Sequence, residues 1–177
     1  MTADSHIRLK KGIFQMWTNE ELGFLLLRLW LAMRAFITGL QKFAGVETRE
    51  IVQINEFTEL EETVTISYRT YGLDHYHAIP DSLKEQFADQ PLLPAFFTGP
   101  YYAVLGYVLL ILGITLFLGV CTRTTLFLMG LLYTSLSFGL ILINQDGGIA
   151  WLGIHILLIV AALLLEKHKR LVLFPKF

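Results

Sequence analysis

The stretch LLRLWLAMRAFITGLQKFAG, residues 26–45, carries two opposed signals. It is apolar enough for a membrane helix, yet Arg28 and Arg34 lie within it and Lys42 near its end. A charge inside a bilayer is costly, and ionisable residues in spans usually face a protein interior or a water-filled cavity. The chain around it is built the same way. Of its 177 residues, 54% are hydrophobic and 16% charged, with a mean hydropathy of +0.56. A helix needs about 20 apolar residues to cross the hydrocarbon core. Four segments meet that length: residues 22–42, 100–120, 124–143 and 148–166. The turns CTR and QDG between the last three are so short that these helices are expected to run antiparallel as neighbours. The expected fold is therefore an all-α membrane protein, a four-transmembrane-helix antiparallel bundle spanning 1–177 as one domain. A small exterior α/β cap, residues 46–95, is inserted between helices 1 and 2.

Basic residues set the expected orientation. Arg8, Lys10 and Lys11 precede the first span, Arg123 lies in the turn after the second, and Lys167, Lys169, Arg170 and Lys176 follow the fourth. An even number of spans places both tails and that turn on one side, expected to be cytoplasmic. The long loop 43–99 holds three basic residues (Arg49, Arg69, Lys84) against ten acidic ones and is expected on the exterior, periplasmic side of a cytoplasmic (inner) membrane. No cleavable leader is read in the first 20 residues, which are dotted with charges, so the first apolar run is expected to stay as an anchor. The net charge of −1 argues against nucleic acid as a partner and leaves lipid as the surroundings of the spans. Cys121 is alone and forms no internal disulfide.

Within the loop, ETVTISYRTYG alternates Val64, Ile66 and Tyr68 with Thr65, Ser67 and Arg69, a strand pattern, with EIVQI upstream as its hairpin partner. PDSLKEQFADQP predicts a short helix, with Ser82 and Glu85 at capping-box spacing and Leu83 and Phe87 on one face. On a strand, His75 and His77 would point the same way, which suits two metal ligands. No third ligand is identifiable in the sequence, and a solvated loop is the preferred reading. There is no Cys-x-x-Cys-His for covalent haem, only His155 lies in a span, and no glycine-rich nucleotide motif of the flavin or nicotinamide kind follows a strand.

Two stretches resemble the DoxX/DoxD-like family. In the first span the likeness rests on Leu27-Arg28-Leu29, Phe36 and Gly39-Leu40-Gln41-Lys42-Phe43. Further on, LGYVLLILGITLFLGVCTRTTLFLMGLL resembles the family's second helix, its turn (Leu118-Gly119, Thr122-Arg123) and its third helix. The large exterior insert departs from the minimal family pattern. The resemblance implies a four-helix membrane protein linked to quinone redox chemistry. One branch, DoxD, is a subunit of an enzyme that passes electrons from thiosulfate to quinone.

Counting from the outer span ends at about 1.5 Å per residue places one polar level on the order of 10 Å below the outer surface. Arg34, Tyr107, Ser135, Ser137 and His155 reach it, one or two from each span. Thr38 and Gln41, with Lys42, extend a stripe outward from Arg34 at i+4, i+7 and i+8. The expectation is a pocket for a quinone head group, with Arg34 and Tyr107 as donors and His155 as donor or proton exchanger. Against it stands a packing role, in which Arg34 bonds backbone carbonyls and the serines and tyrosine join helices. Arg28 and Lys42 are expected to snorkel to opposite interfaces. Three functions follow: a quinone-binding subunit taking electrons from a partner redox protein in a hetero-oligomeric complex; a non-catalytic accessory or scaffolding subunit of a larger respiratory or electron-transfer complex; and, ranked last, a small transporter.

Overall fold

The computed structural model describes residues 17–54 and 61–169. Most of them are helical, and four helices are long and apolar enough to cross a membrane. Helix α1 (Asn19–Gln41) begins where Thr18 and Glu21 cap each other. The Thr18 N–H donates to Glu21 Oε2 at 2.9 Å, and the Glu21 N–H to Thr18 Oγ1 at 3.3 Å. This reciprocal pair satisfies two first-turn donors and starts the helix three residues before the apolar count does.

Strands β1 (Ala44–Ile54) and β2 (Glu61–Tyr71) follow, then a 3-10 turn (Leu73–His75), helix α2 (Asp81–Ala88) and helix α3 (Ala95–Leu118). Helices α4 (Thr122–Leu142) and α5 (Asp146–Leu165) complete the order, α5 running on into a 3-10 turn (Glu166–His168). The short turns are closed by the same device twice. After α3, Gly119 has φ 72, its N–H donates to Leu116 O, and the Val120 N–H reaches back to Thr115 O. After α4, Asn144 has φ 54, donating to Ile141 O, while the Gln145 N–H donates to Leu140 O. Each is a Schellman ending, which consumes otherwise orphaned carbonyls and needs a residue tolerant of the left-handed region.

The chain divides into two compact units: Met1–Phe36 with Ile111–Phe177, and Ile37–Leu110. In the first, Phe24, Arg28, Leu31, Ala32 and Ala35 form the buried stripe of α1. Leu112 and Leu116 of α3, Leu126, Met129 and Tyr133 of α4, and Ile159 and Ala162 of α5 are buried as well. A Cβ on Gly113 would stand 2.7 Å from the Phe36 nitrogen, so α1 and α3 touch backbone to backbone there. Small residues permit such approach between apolar helices.

In the second unit, β1 and β2 pair antiparallel along their whole length, Ile51 opposite Val64 and Glu47 opposite Tyr68. The hairpin expected from alternation is present and longer than EIVQI alone. Helix α2 forms with Phe87 buried and Leu83 half-buried on one face. Its expected capping box does not form: Pro80 is the N-cap residue, which puts Ser82 inside the first turn, and Asp81 instead accepts from Lys84 Nζ at 2.9 Å.

Candidate functional site

Among the described residues of the unit built from Met1–Phe36 and Ile111–Phe177, one histidine is buried. His155 is 5% exposed on α5, on the same face as Ile159 and Ala162. Its Nδ1 lies 2.7 Å from the Trp151 carbonyl oxygen, one turn back. A carbonyl only accepts, so Nδ1 carries a hydrogen and donates it. Nε2 is itself buried and has no hydrogen-bond partner among the described residues. Buried polar atoms are overwhelmingly bonded, to protein or to ordered water, so this nitrogen is a feature of the unit that calls for a partner.

Tyr133 of α4 stands edge-on to that imidazole, with ring centroids 5.8 Å apart at 87°. It is 4% exposed. Ser137, one turn further along α4, donates to the Tyr133 carbonyl at 2.9 Å. Among the residues expected at the polar level, His155 thus meets the ring of a residue the sequence did not single out, Tyr133. The signal for it was its spacing: Thr122, Thr125, Leu126, Met129 and Tyr133 form the buried face of α4.

The two arginines depart from expectation. Arg28, expected to snorkel, is 5% exposed within the buried stripe of α1. Arg34, expected to face inward, is exposed. At about 100° per residue, six residues set the two about 240° around the helix, so they cannot share one face. Ser135 is also exposed and turns its hydroxyl back to the Leu132 carbonyl at 2.7 Å.

Thr38, Gln41 and Tyr107 belong to the Ile37–Leu110 unit. Thr38 is half-buried and Gln41 exposed on the last turns of α1. Tyr107, 44% exposed, stacks on Tyr76 with centroids 5.4 Å apart and meets Phe43 edge-on at 5.1 Å. Tyr76 is the second residue sequence reasoning passed over. Its hydroxyl donates to the Tyr102 carbonyl and accepts from the Gly106 N–H at 3.2 Å. Those two groups lie four residues apart on α3, the spacing of a helical hydrogen bond, so the hydroxyl is seated in the ladder itself. Gly106 allows it, since a Cβ there would come within 2.7 Å of the Tyr76 ring. Lys42 is half-buried beside Gly106, and burial holds its amine below the usual lysine range.

His75 and His77 do not present a shared ligand face. His75 closes a 3-10 turn rather than a strand, its ring over Gly45 and its Nε2 3.3 Å from Thr70 Oγ1 and 3.8 Å from Glu47 Oε1. His77 Nδ1 turns to the His75 carbonyl at 2.9 Å. Among the described residues, no three His, Cys, Asp or Glu side chains are grouped to hold a metal ion. Comparison with known protein families, curated proteins and solved structures finds no match to this chain.

Proposed function

We propose that the chain is an integral membrane subunit of a quinone-linked electron-transfer system, binding quinone beside His155 and receiving electrons from a partner redox protein. The observation that carries this reading is the buried, unpartnered Nε2 of His155. Resemblance to DoxX/DoxD-like helices points the same way. A bound quinone supplies two-electron, two-proton chemistry at two oxygens set at the end of an apolar body. The residues present fit that group. Nε2 offers a lone pair to an O–H or takes a proton, while Trp151 keeps the other nitrogen in place as a donor. Imidazole changes charge near neutral pH and suits such exchange. Tyr133 offers a hydroxyl donor. The sequence has a single histidine in its spans and no Cys-x-x-Cys-His, so the electron carrier is assigned to the partner.

The arrangement proposed with it is an antiparallel four-helix bundle in the cytoplasmic membrane, tails inside and the β1–β2 insert on the exterior face. A second reading, a non-catalytic accessory subunit of a larger respiratory or electron-transfer complex, is favoured by Arg34. A guanidinium exposed within a span asks for cover, which a neighbouring subunit's helix provides.

The test is extraction of quinone from purified His155→Leu and wild-type protein. Losing one hydrogen-bond partner in a buried site costs about 1–3 kcal/mol, or about 5- to 150-fold in affinity. Loss of bound quinone in His155→Leu, with unchanged helix content and thermal unfolding, supports the reading. Equal quinone in both refutes it. Retention of quinone in His155→Leu with loss of partner subunits in Arg34→Leu moves the assignment to the accessory role.

A further inference from the structure

The β1–β2 ribbon has a use that quinone binding does not absorb. Its strands pair with each other along eleven residues each, and no third strand joins either edge among the described residues. A two-stranded ribbon alone is marginally stable in water, and an open edge is a row of unpaired donors and acceptors ready for another chain. Apolar side chains stay exposed along β1, where Val46 is 71%, Val52 63% and Ile54 69% exposed. Across from its far half, β2 offers Glu61, Thr63 and Thr65 instead. Charge is one-sided in the far half alone, since Arg49 and Arg69 of the same strands lie in the near half. From Glu50 to Tyr68 the sequence has Glu50, Glu56, Glu59, Glu61 and Glu62, and no lysine, arginine or histidine.

We propose that the free edge of β1 is the docking site for a basic protein that adds a strand to the ribbon. On β1, Glu50, Val52 and Ile54 alternate with Ile51 and Gln53 and share one face. A partner strand alongside would set cationic residues against Glu50 and, across the ribbon, Glu61, with apolar residues against Val52 and Ile54. Main-chain hydrogen bonds supply affinity and the alternate side chains supply selectivity. Charge separates this occupant from the others. A second copy sets Glu50 and Glu61 near their own like, and an anionic lipid surface repels the same residues. A cationic strand meets neither penalty.

The experiment uses the full chain in nanodiscs made of neutral phospholipid. The probe is a labelled synthetic peptide whose alternate positions are lysine, valine and valine in turn, with threonine between them, so that cationic and apolar side chains share one face; the control carries glutamate for each lysine. Binding is read by fluorescence anisotropy and location by amide hydrogen exchange. The lysine peptide is expected to bind and to slow exchange in β1 more than in β2. Glu50→Lys/Glu61→Lys/Glu62→Lys is expected to weaken binding by at least about tenfold, opposite charges across a ribbon being favourable and like charges not. The milder Glu50→Gln/Glu61→Gln/Glu62→Gln and the charge-preserving Val52→Thr/Ile54→Thr each weaken it less, and they serve if the reversal disturbs folding. Binding without β1 protection overturns strand addition. Equal binding of both peptides overturns the charge argument. Concentration-dependent β1 protection without peptide assigns the edge to a second copy and also overturns the proposal. No arm depends on quinone, so this proposal and the His155 reading stand or fall separately.

Discussion

Gly113→Ala tests whether the first unit is held by contact between helix backbones. An added Cβ would lie 2.7 Å from the Phe36 nitrogen, 2.9 Å from its Cα and 3.0 Å from its Cβ. Comfortable contacts between carbon atoms fall at about 3.5–4.0 Å. The obstructing atoms are mostly backbone, so no rotamer change relieves them, and α1 and α3 must part by on the order of 1 Å. Overpacking of that kind costs about 1–3 kcal/mol. The matched control is Gly153→Ala on α5, where an added Cβ meets nothing within 4 Å. Alanine is the better helix former by about 0.8–1.0 kcal/mol, so this control is expected to be neutral or stabilising. Thermal unfolding of both variants in one detergent, followed by tryptophan fluorescence, should place Gly113→Ala below wild type and Gly153→Ala at or above it. A Gly113→Ala protein that unfolds with wild type would refute the backbone contact, because no side-chain adjustment could hide so close an approach.

Two further outcomes are expected in the Ile37–Leu110 unit. Tyr76→Phe frees the Gly106 N–H and the Tyr102 carbonyl to bond each other, so its loss stays within about 0.5–1.5 kcal/mol. Tyr76→Ala also removes the ring contacts to Phe43 and Tyr107, about 1–3 kcal/mol for two aromatic pairs, and thermal unfolding of the two variants should separate accordingly. Asp81 is held below the ordinary aspartate range by the hydrogen bond from Lys84 and then by its charge. Its folded state therefore prefers the ionised form. The stabilisation is present above the ordinary aspartate value and lost as pH falls through the lowered one. A carboxyl titration followed by nuclear magnetic resonance should find Asp81 titrating low and returning to the ordinary range in Lys84→Met. An unchanged titration would show that the contact at the start of α2 does not form.

The four long helices were legible in the sequence because each holds about the 20 apolar residues that a crossing requires, and each was placed to within a few residues. The starts were less so. At α1 the missed information was chemical rather than hydrophobic: Thr18 and Glu21 stand at capping-box spacing immediately before the apolar run. At α2 the opposite error arose, since Ser82 and Glu85 have the right spacing but the N-cap is Pro80, two residues too early for them. The ribbon was legible from alternation. Its full register was not, because Glu47, Arg49, Arg69 and Thr70 interrupt the apolar pattern while the backbone pairing continues through them.

Depth could be counted, and direction could not. On a soluble helix the apolar stripe announces which face is buried. Along α1, however, the exposed side carries Leu26, Trp30, Met33 and Ile37, as apolar as the buried stripe of Phe24, Leu31, Ala32 and Ala35. Where lipid and protein interior are equally apolar, hydrophobicity carries no angular information, and the arginines were assigned to the wrong faces for that reason. Small residues carry the information instead. Ala32 and Ala35, with Gly113 opposite Phe36, mark the side where backbones approach, and Arg28 lies on that side at i−4 from Ala32. The same rule locates His155. Ile159 and Ala162 follow it at i+4 and i+7 on a helix apolar all round, and Ile159 lies 3.5 Å from where a Cβ on Gly130 would stand. A polar side chain one turn before a helix–helix contact is turned inward with it, which leaves the Nε2 of His155 buried without a partner of its own chain.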